Sequence, residues 1–360
     1  MNRALNFNAG PAMLPEEVLL EANKNWLNFN GTGMAVMELS HRSNEYEEVQ
    51  EKAQVLLREL LSIPSSYEVL FLQGGASLQF SMVPMNLLTK ESTGNYILTG
   101  AWSEKAWEEA KKIGQTFISA SSKEQEYKSI PNIINEISED AAYLHITSNN
   151  TIYGTQWHHF PSNEKVPLVA DMSSDILSRP ISMENFDLIY AGAQKNLGPS
   201  GVTVVIIKKE LLARSNNSLL PTMLNYNTYA KHNSLYNTPP TLSIYLLKLV
   251  LEWAIRQGGL DALENKNEEK ANILYDAIDS SSHFYAGHAD KESRSKMNVT
   301  FNLDNQELAN RFLHQAKEEG FIGLNGHRSI GGCRASIYNA MPLEYVHRLA
   351  EFMKKFRNLS

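Results

Sequence analysis

Between residues 68 and 208 short β-rich runs alternate with helical or loop segments, and this alternation limits the fold more than any other feature. The runs are EVLFL (68–72), NYILTG (95–100), AYLHIT (142–147), PLVAD (167–171), DLIYAG (187–192) and VTVVII (202–207). Nearly continuous apolar strands separated by helices pair in parallel and bury both faces of their sheet. The expectation is an α/β fold: a large domain with a mostly parallel central sheet flanked by helices. In such a sheet, chemistry gathers just beyond the strand ends.

At 360 residues the chain is too long for one small core. Helical patterning is expected over 15–29, which opens with proline and two acids, and over 44–61. A polar loop, 225–238, precedes Pro239-Pro240 and an amphipathic helix over 241–257, which Gly258-Gly259 ends. Beyond it, 261–279 reads as helix, 295–303 as strand, 306–320 as helix and 342–357 as a final helix. The expected domains are therefore 15–258 and a smaller α+β unit, 259–360, with the arm 1–14 packing on the latter.

A net charge of −7 argues against nucleic acid or an anionic membrane as the main partner, while a few local arginines suffice for small anionic substrates. The single cysteine, Cys333, permits no intrachain disulfide and suits a reducing compartment. No secretory signal is visible, and no run nears the roughly 18 apolar residues of a membrane span. The expected location is the cytoplasm.

Lys195 stands in AGAQKNLGPSG (191–201), just past one apolar run, and Asp171 ends another. Small residues around a lysine let a rigid ring approach, and an aspartate one strand away can hold a pyridinium nitrogen. That is the pairing a pyridoxal phosphate (PLP) enzyme needs. Alone, Lys195 reads equally well as a solvated lysine in a glycine-rich turn. Asp171 is the firmer sign, because a carboxylate at a buried strand end is costly unless paired; Ser173 and Ser174 offer it polar contacts.

FLQGGASLQF (71–80) reads as strand, glycine pair and helix start, so the amides at Ala76 and Ser77 can cradle one compact anion. It lacks the GxGxxG spacing of a dinucleotide site. Trp102, in TGAWS (99–103), either stacks on a flat ring in the cleft or covers a helix end; Trp107 reads as core. Thr151, in ITSNNTIYGTQW (146–157), is either a donor to a ring phenolate or part of a plain turn.

Three basic sites suit carboxylates or phosphates: His41-Arg42 in ELSHRS, His327-Arg328 in LNGHRS, and Arg334 in GGCRASIYN. Cys333 reads as a small apolar residue beside Arg334. The histidines make no metal-binding spacing, so no metal site is expected.

Taken together, NFNAGPAMLP (6–15), ELSHRS, FLQGGAS, TGAWS, ITSNNTIYGTQW, VADMSSDILSRP (169–180), AGAQKNLGPSG, YNTPPT (236–241) and GHRSIGGCRASIYNA (326–340) resemble the phosphoserine aminotransferase family. These are fold-type I, class V PLP-dependent transaminases, and the likeness runs nearly the full length. It implies one PLP per subunit, in a Schiff base with Lys195 and with its ring nitrogen on Asp171. Trp102 would stack on the ring, Thr151 would contact its hydroxyl, and Ala76, Ser77 and Gln194 would hold its phosphate. The family forms homodimers with shared sites, so Asn237 and Thr238 would serve a neighbouring subunit's cofactor. Arg42 would bind the distal acidic group of the substrate with His41, His327 and Arg328, and Arg334 would take the α-carboxylate. Some members carry arginine where this chain has Ser77, which shifts the substrate phosphate onto the HRS loops.

The implied reaction exchanges an amino group between L-glutamate and 3-phosphohydroxypyruvate, in serine biosynthesis. A phosphorylated four-carbon keto acid on the route to pyridoxine is a further expected substrate. The alternatives are another class V transaminase and a non-catalytic PLP-binding protein. A cysteine desulfurase fits poorly, since the sole thiol abuts Arg334.

Overall fold

The computed structural model describes residues 3–134, 136–161, 166–215 and 219–359. Its first elements are β1 (Leu5–Asn6), α1 (Glu16–Lys24), α2 (Asn44–Leu60), β2 (Tyr67–Leu72) and α3 (Gly75–Leu87). Next come β3 (Thr93–Leu98), α4 (Ala101–Ala110), β4 (Gln115–Ser121), β5 (Ala141–Thr147) and the short hairpin of β6 (Asn149–Asn150) and β7 (Thr155–Gln156). The middle of the chain continues with β8 (Leu168–Asp171), β9 (Leu188–Gly192), β10 (Thr203–Lys208), α5 (Lys209–Arg214), α6 (Tyr226–Lys231) and α7 (Thr241–Arg256). The C-terminal part holds α8 (Gly259–Asp279), β11 (Tyr285–Gly287), β12 (Asn298–Leu303), α9 (Gln306–Glu318), β13 (Phe321–Ile322), β14 (Cys333–Ser336) and α10 (Leu343–Leu359).

The central sheet has seven strands in the order β2-β10-β9-β8-β5-β3-β4. The fold is α/β with a mostly parallel sheet, as the alternating runs predict. Only β10 runs against its neighbours, β2 and β9. The connection from β9 to β10, residues 193–202, is too short for the helical crossover that a parallel pair requires, so the chain turns straight back. That tight return is the segment that carries Lys195.

The sheet is buried on both sides. Along β10, Val204 and Ile206 face a core shared with α2 and α7, whereas Val205 and Ile207 face the core under α3 and α4. All four are fully buried, and each such side chain contributes about 1.5–3 kcal/mol of transfer free energy. A separate core lies in the C-terminal part, built on the three-stranded sheet β11-β12-β14 with α9 and α10. The long helix α8 belongs to both cores: Leu260 and Leu263 pack into the first, Ala271, Leu274 and Ile278 into the other. The N-terminal β1 pairs in parallel with β13, Leu5 opposite Phe321.

Several elements differ from expectation, three of them instructively. The first helix stops at Lys24, not at 29, with Asn25 at its C-cap and Trp26 and Leu27 exposed beyond it. The supposed loop 225–238 contains α6, started by the Asn225 side chain accepting from Asn227 N–H. Strand β4 lacks an apolar run to announce it, because it is an edge strand paired only with β3 and half open to solvent.

Candidate active site

Because β2, β3, β5, β8 and β9 all run in one sense, their C-terminal ends open at the same edge of the sheet. The turn after β2 leads into α3, that after β3 into Trp102, and that after β5 to Thr151. Asp171 is the last residue of β8, and Lys195 stands three residues past β9. Five stretches distant in sequence thus converge by topology alone.

At the centre, Lys195 Nζ lies over the Trp102 ring, 5.7 Å from its centroid. The Trp102 indole N–H donates to Thr151 Oγ1 at 3.2 Å, and Arg334 Nη1 donates to the Thr151 carbonyl at 2.9 Å. One threonine therefore ties the tryptophan to the arginine. Arg334 itself is carried in by β14, paired opposite Thr300 of β12.

The charges are strongly coupled. Burial lowers the Lys195 amine below its ordinary range; Asp171 and Asp175 act to raise it and Arg334 to lower it further. Burial raises the Asp171 carboxyl, opposed by Lys195 and by the hydrogen bonds of Ser173. Those bonds, from the Ser173 amide at 2.9 Å and its hydroxyl at 2.6 Å, both land on Oδ1. Oδ2 is left as the acceptor for a further donor. Ser148 braces the same turn, its one hydroxyl proton shared between the Asp171 carbonyl and the buried Asp175.

The start of α3 supplies an anion cradle. Gly74 caps the helix in the left-handed region (φ 88°), where a side chain would run into Leu78 Cβ at 2.6 Å. No side chain caps this end, so the first amides, at Gly75, Ala76 and Ser77, point outward as free donors. A Cβ on Gly75 would meet nothing within 4 Å. Anion cradle, free carboxylate oxygen, indole face and lysine are the donor set that PLP requires, and the residues fit that group.

The N-terminal arm also reaches the site. Its Ala12 amide donates to the Gln194 carbonyl at 2.8 Å, and a Cβ on Gly10 would lie 3.5 Å from Lys195 Cγ. From sequence the arm is expected only to pack on 259–360, with no part for Gly10 or Ala12 at Lys195; a glycine beside a proline at the end of a polar arm was the available signal.

The two HRS loops separate. His327 is half-buried and its imidazole is pushed down by burial, then by the charges of Arg334, Arg328 and Lys105. It therefore belongs to the electrostatic surroundings of Arg334, with Arg328 exposed beside it. Among the described residues, no hydrogen bond joins His41 or Arg42 to Lys195, Asp171, Trp102, Thr151 or Arg334. Instead His41 Nδ1 meets Thr238 Oγ1 at 3.1 Å, and the Thr238 carbonyl accepts from Gln73 at 3.4 Å and from Asn237 at 3.3 Å. Arg42 is exposed. Cys333 is buried and its thiol is pushed up to about 12, which disfavours a nucleophilic thiolate. Trp107 donates to Thr116 Oγ1 at 3.1 Å and packs against the core. No group of residues able to hold a metal ion occurs among the described residues, and no helix there is long and apolar enough to cross a membrane.

Comparison with known proteins identifies the family. The family model "Aminotransferase class-V" matches residues 4–349. A phosphoserine aminotransferase of Alkalihalobacillus alcalophilus is 62% identical over 358 residues, covering 99% of both chains. A solved structure described as "Radiation damage of the Schiff base in phosphoserine aminotransferase" superposes with a TM-score of 0.98 at 62% identity, covering 100% of each chain. The PLP-bound phosphoserine aminotransferase of Trichomonas vaginalis gives 0.91 at 38% identity, covering 98% of this chain and 100% of that one.

Proposed function

Because the chain belongs to the phosphoserine aminotransferase family, within the class-V aminotransferases, we propose that it moves an amino group reversibly between L-glutamate and 3-phosphohydroxypyruvate, giving 2-oxoglutarate and O-phospho-L-serine. It would do so in the cytoplasm, for serine biosynthesis, with 3-hydroxy-2-oxo-4-phosphonooxybutanoate, on the route to pyridoxine, as a further acceptor. The observation that carries this reading is the Trp102–Thr151–Arg334 chain of hydrogen bonds beside Lys195 and Asp171.

PLP, one per subunit and joined to Lys195, supplies an electron sink for the substrate α-carbon when bound. Asp171 Oδ2 would take the ring nitrogen, Thr151 Oγ1 the ring hydroxyl, and the Trp102 face the ring itself. The amides of Ala76 and Ser77, with Gln194, would hold the phosphate. Lys195 is suited to moving the α-proton, because burial and Arg334 both favour its neutral, basic form. Arg334 has Nη1 committed to Thr151 and a buried Nε without a partner, so its remaining donors are available for an α-carboxylate.

The distal anion, phosphate in one half-reaction and γ-carboxylate in the other, falls to His327 and Arg328 with His41 and Arg42. The His41-Arg42 loop is bonded to Thr238, with Asn237 beside it, and among the described residues no hydrogen bond joins it to its own Lys195. That separation supports a homodimer in which each copy lends this loop to the other's site. We take 15–258 as the cofactor-binding domain and 259–360, with the arm 1–14, as the smaller one.

The test is glutamate formation from 2-oxoglutarate with O-phospho-L-serine or L-serine as donor. Strong preference for the phosphorylated donor is expected; equal use of the two would overturn the substrate assignment.

A further inference from the structure

Helix α8 carries two buried polar side chains one turn apart, Asn267 and Lys270. A lysine is rarely this deeply buried without a carboxylate, because its ammonium loses solvation. Lys270 is only 2% exposed, yet its described partners are two backbone carbonyls, Ile337 O at 2.9 Å and Tyr338 O at 2.7 Å. Burial brings its amine down to about 7. Asn267 donates to Asn339 Oδ1 at 2.8 Å and to the Ser178 carbonyl at 3.0 Å. The helix thus grips three consecutive residues, 337–339, just past the strand that bears Arg334.

From this gripped segment two bonds lead to Lys195. The Asn339 amide donates to Oδ1 of Asn196, the next residue after Lys195, at 2.9 Å. The Tyr338 hydroxyl donates to the Ala9 carbonyl at 2.7 Å, and Gly10 beyond it lies against the Lys195 side chain. Asn196 and Asn339 also hold the Ile176 and Leu177 carbonyls, at 2.7 and 2.8 Å, in the turn that follows Asp171. Simple adhesion between the two cores would be met more cheaply by apolar side chains. Donors ending on consecutive carbonyls fix depth and angle instead.

We propose that Asn267 and Lys270 are positioning residues for amino transfer, holding residues 337–339 so that Lys195 and Arg334 keep their relative placement. This rests on the reading that Lys195 carries the cofactor. It goes beyond that reading by assigning a role to two side chains that touch neither substrate nor cofactor. If the grip is released, Arg334 moves with respect to Lys195 and its charge depresses that amine less.

The experiment compares the PLP-loaded wild type with Lys270→Met and Asn267→Ala. Two quantities are read: the pH midpoint of the chromophore at Lys195, and kcat and KM for O-phospho-L-serine. The expected result is a midpoint raised by about one unit, through a displaced neighbouring charge. A fall in kcat/KM of about a hundredfold should accompany it, as for a catalytic group misplaced by about 1 Å. Variants that melt earlier but keep the wild-type midpoint and KM would overturn the proposal, leaving a packing role. Should Lys270→Met fail to fold, Asn267→Ala, which spares the lysine, decides on the same readouts. A wild type that forms no chromophore with added PLP would overturn the Lys195 reading and this proposal together, whereas unmoved variants of a coloured wild type overturn the proposal alone.

Discussion

Replacing Arg334 by alanine removes a half-buried guanidinium whose position is set by the Thr151 carbonyl at 2.9 Å. Under the proposed function this group meets the α-carboxylate of every substrate. Truncating one side of a buried, hydrogen-bonded charge pair costs about 2–5 kcal/mol. At about 1.4 kcal/mol per tenfold, that is a loss of about 30-fold to several thousandfold in kcat/KM. Both amino donors carry the carboxylate, so O-phospho-L-serine and L-glutamate should suffer alike. A second effect follows from charge. Arg334 lowers the Lys195 amine, so its removal should move the acid limb of the pH–rate profile toward higher pH. Arg334→Lys restores the charge without the planar fork and should fall between the two. Steady-state kinetics with both donors across pH is the assay. A loss confined to one donor, or an unmoved acid limb, would show that Arg334 does not do this work.

Asp171→Asn keeps an oxygen for the two Ser173 bonds but removes the charge, and should cut kcat about a hundredfold or more. In the folded chain the Asp171 carboxyl is raised, so its contribution to stability is lost as pH climbs from its unfolded value to its folded one. Cofactor-free Asp171→Asn should therefore melt above the wild type at pH 7, measured by calorimetry; a lower melting temperature would contradict that sign. The Lys270 amine is lowered to about 7, so the folded state binds fewer protons than the unfolded one from there up to the ordinary lysine range. Stability from this group rises with pH across that window, and Lys270→Met should flatten the slope by about 1.4 kcal/mol per pH unit, read from urea unfolding. Mixing inactive Lys195→Ala with inactive Arg42→Ala subunits should restore about a quarter of the wild-type rate, since half the dimers are mixed and each rebuilds one shared site. No recovery after verified subunit exchange would place Arg42 in its own chain's site.

The sequence made the sheet legible because buried parallel strands must be apolar on both faces. It hid β4 because an edge strand with one partner needs no such run. The antiparallel return of β10 onto β9 was readable in their short connection, but that β10 takes β2 as its other neighbour is a tertiary choice that no local pattern records. At the site, Lys195 and Asp171 stood out as polar residues closing apolar runs, and Arg334 as a cation entering a strand. Thr151 looked like any turn residue until the fold set its hydroxyl on Trp102 and its carbonyl on Arg334. The two HRS tripeptides read alike, yet one lies near Arg334 and the other beside Thr238. Asn267 and Lys270 gave no signal at all. In a helix as polar as LENKNEEK (263–270) such residues read as a solvated face, and only tertiary packing turns them inward.

The most direct test of the central claim is the absorbance spectrum of the PLP-reconstituted protein during titration with O-phospho-L-serine. A band near the visible edge should form in the wild type, be absent from Lys195→Ala, and convert to the pyridoxamine form as phosphoserine is added. No band in the wild type would contradict the assignment of Lys195. A band that ignores phosphoserine but bleaches with another amino acid would keep the lysine and refute the substrate.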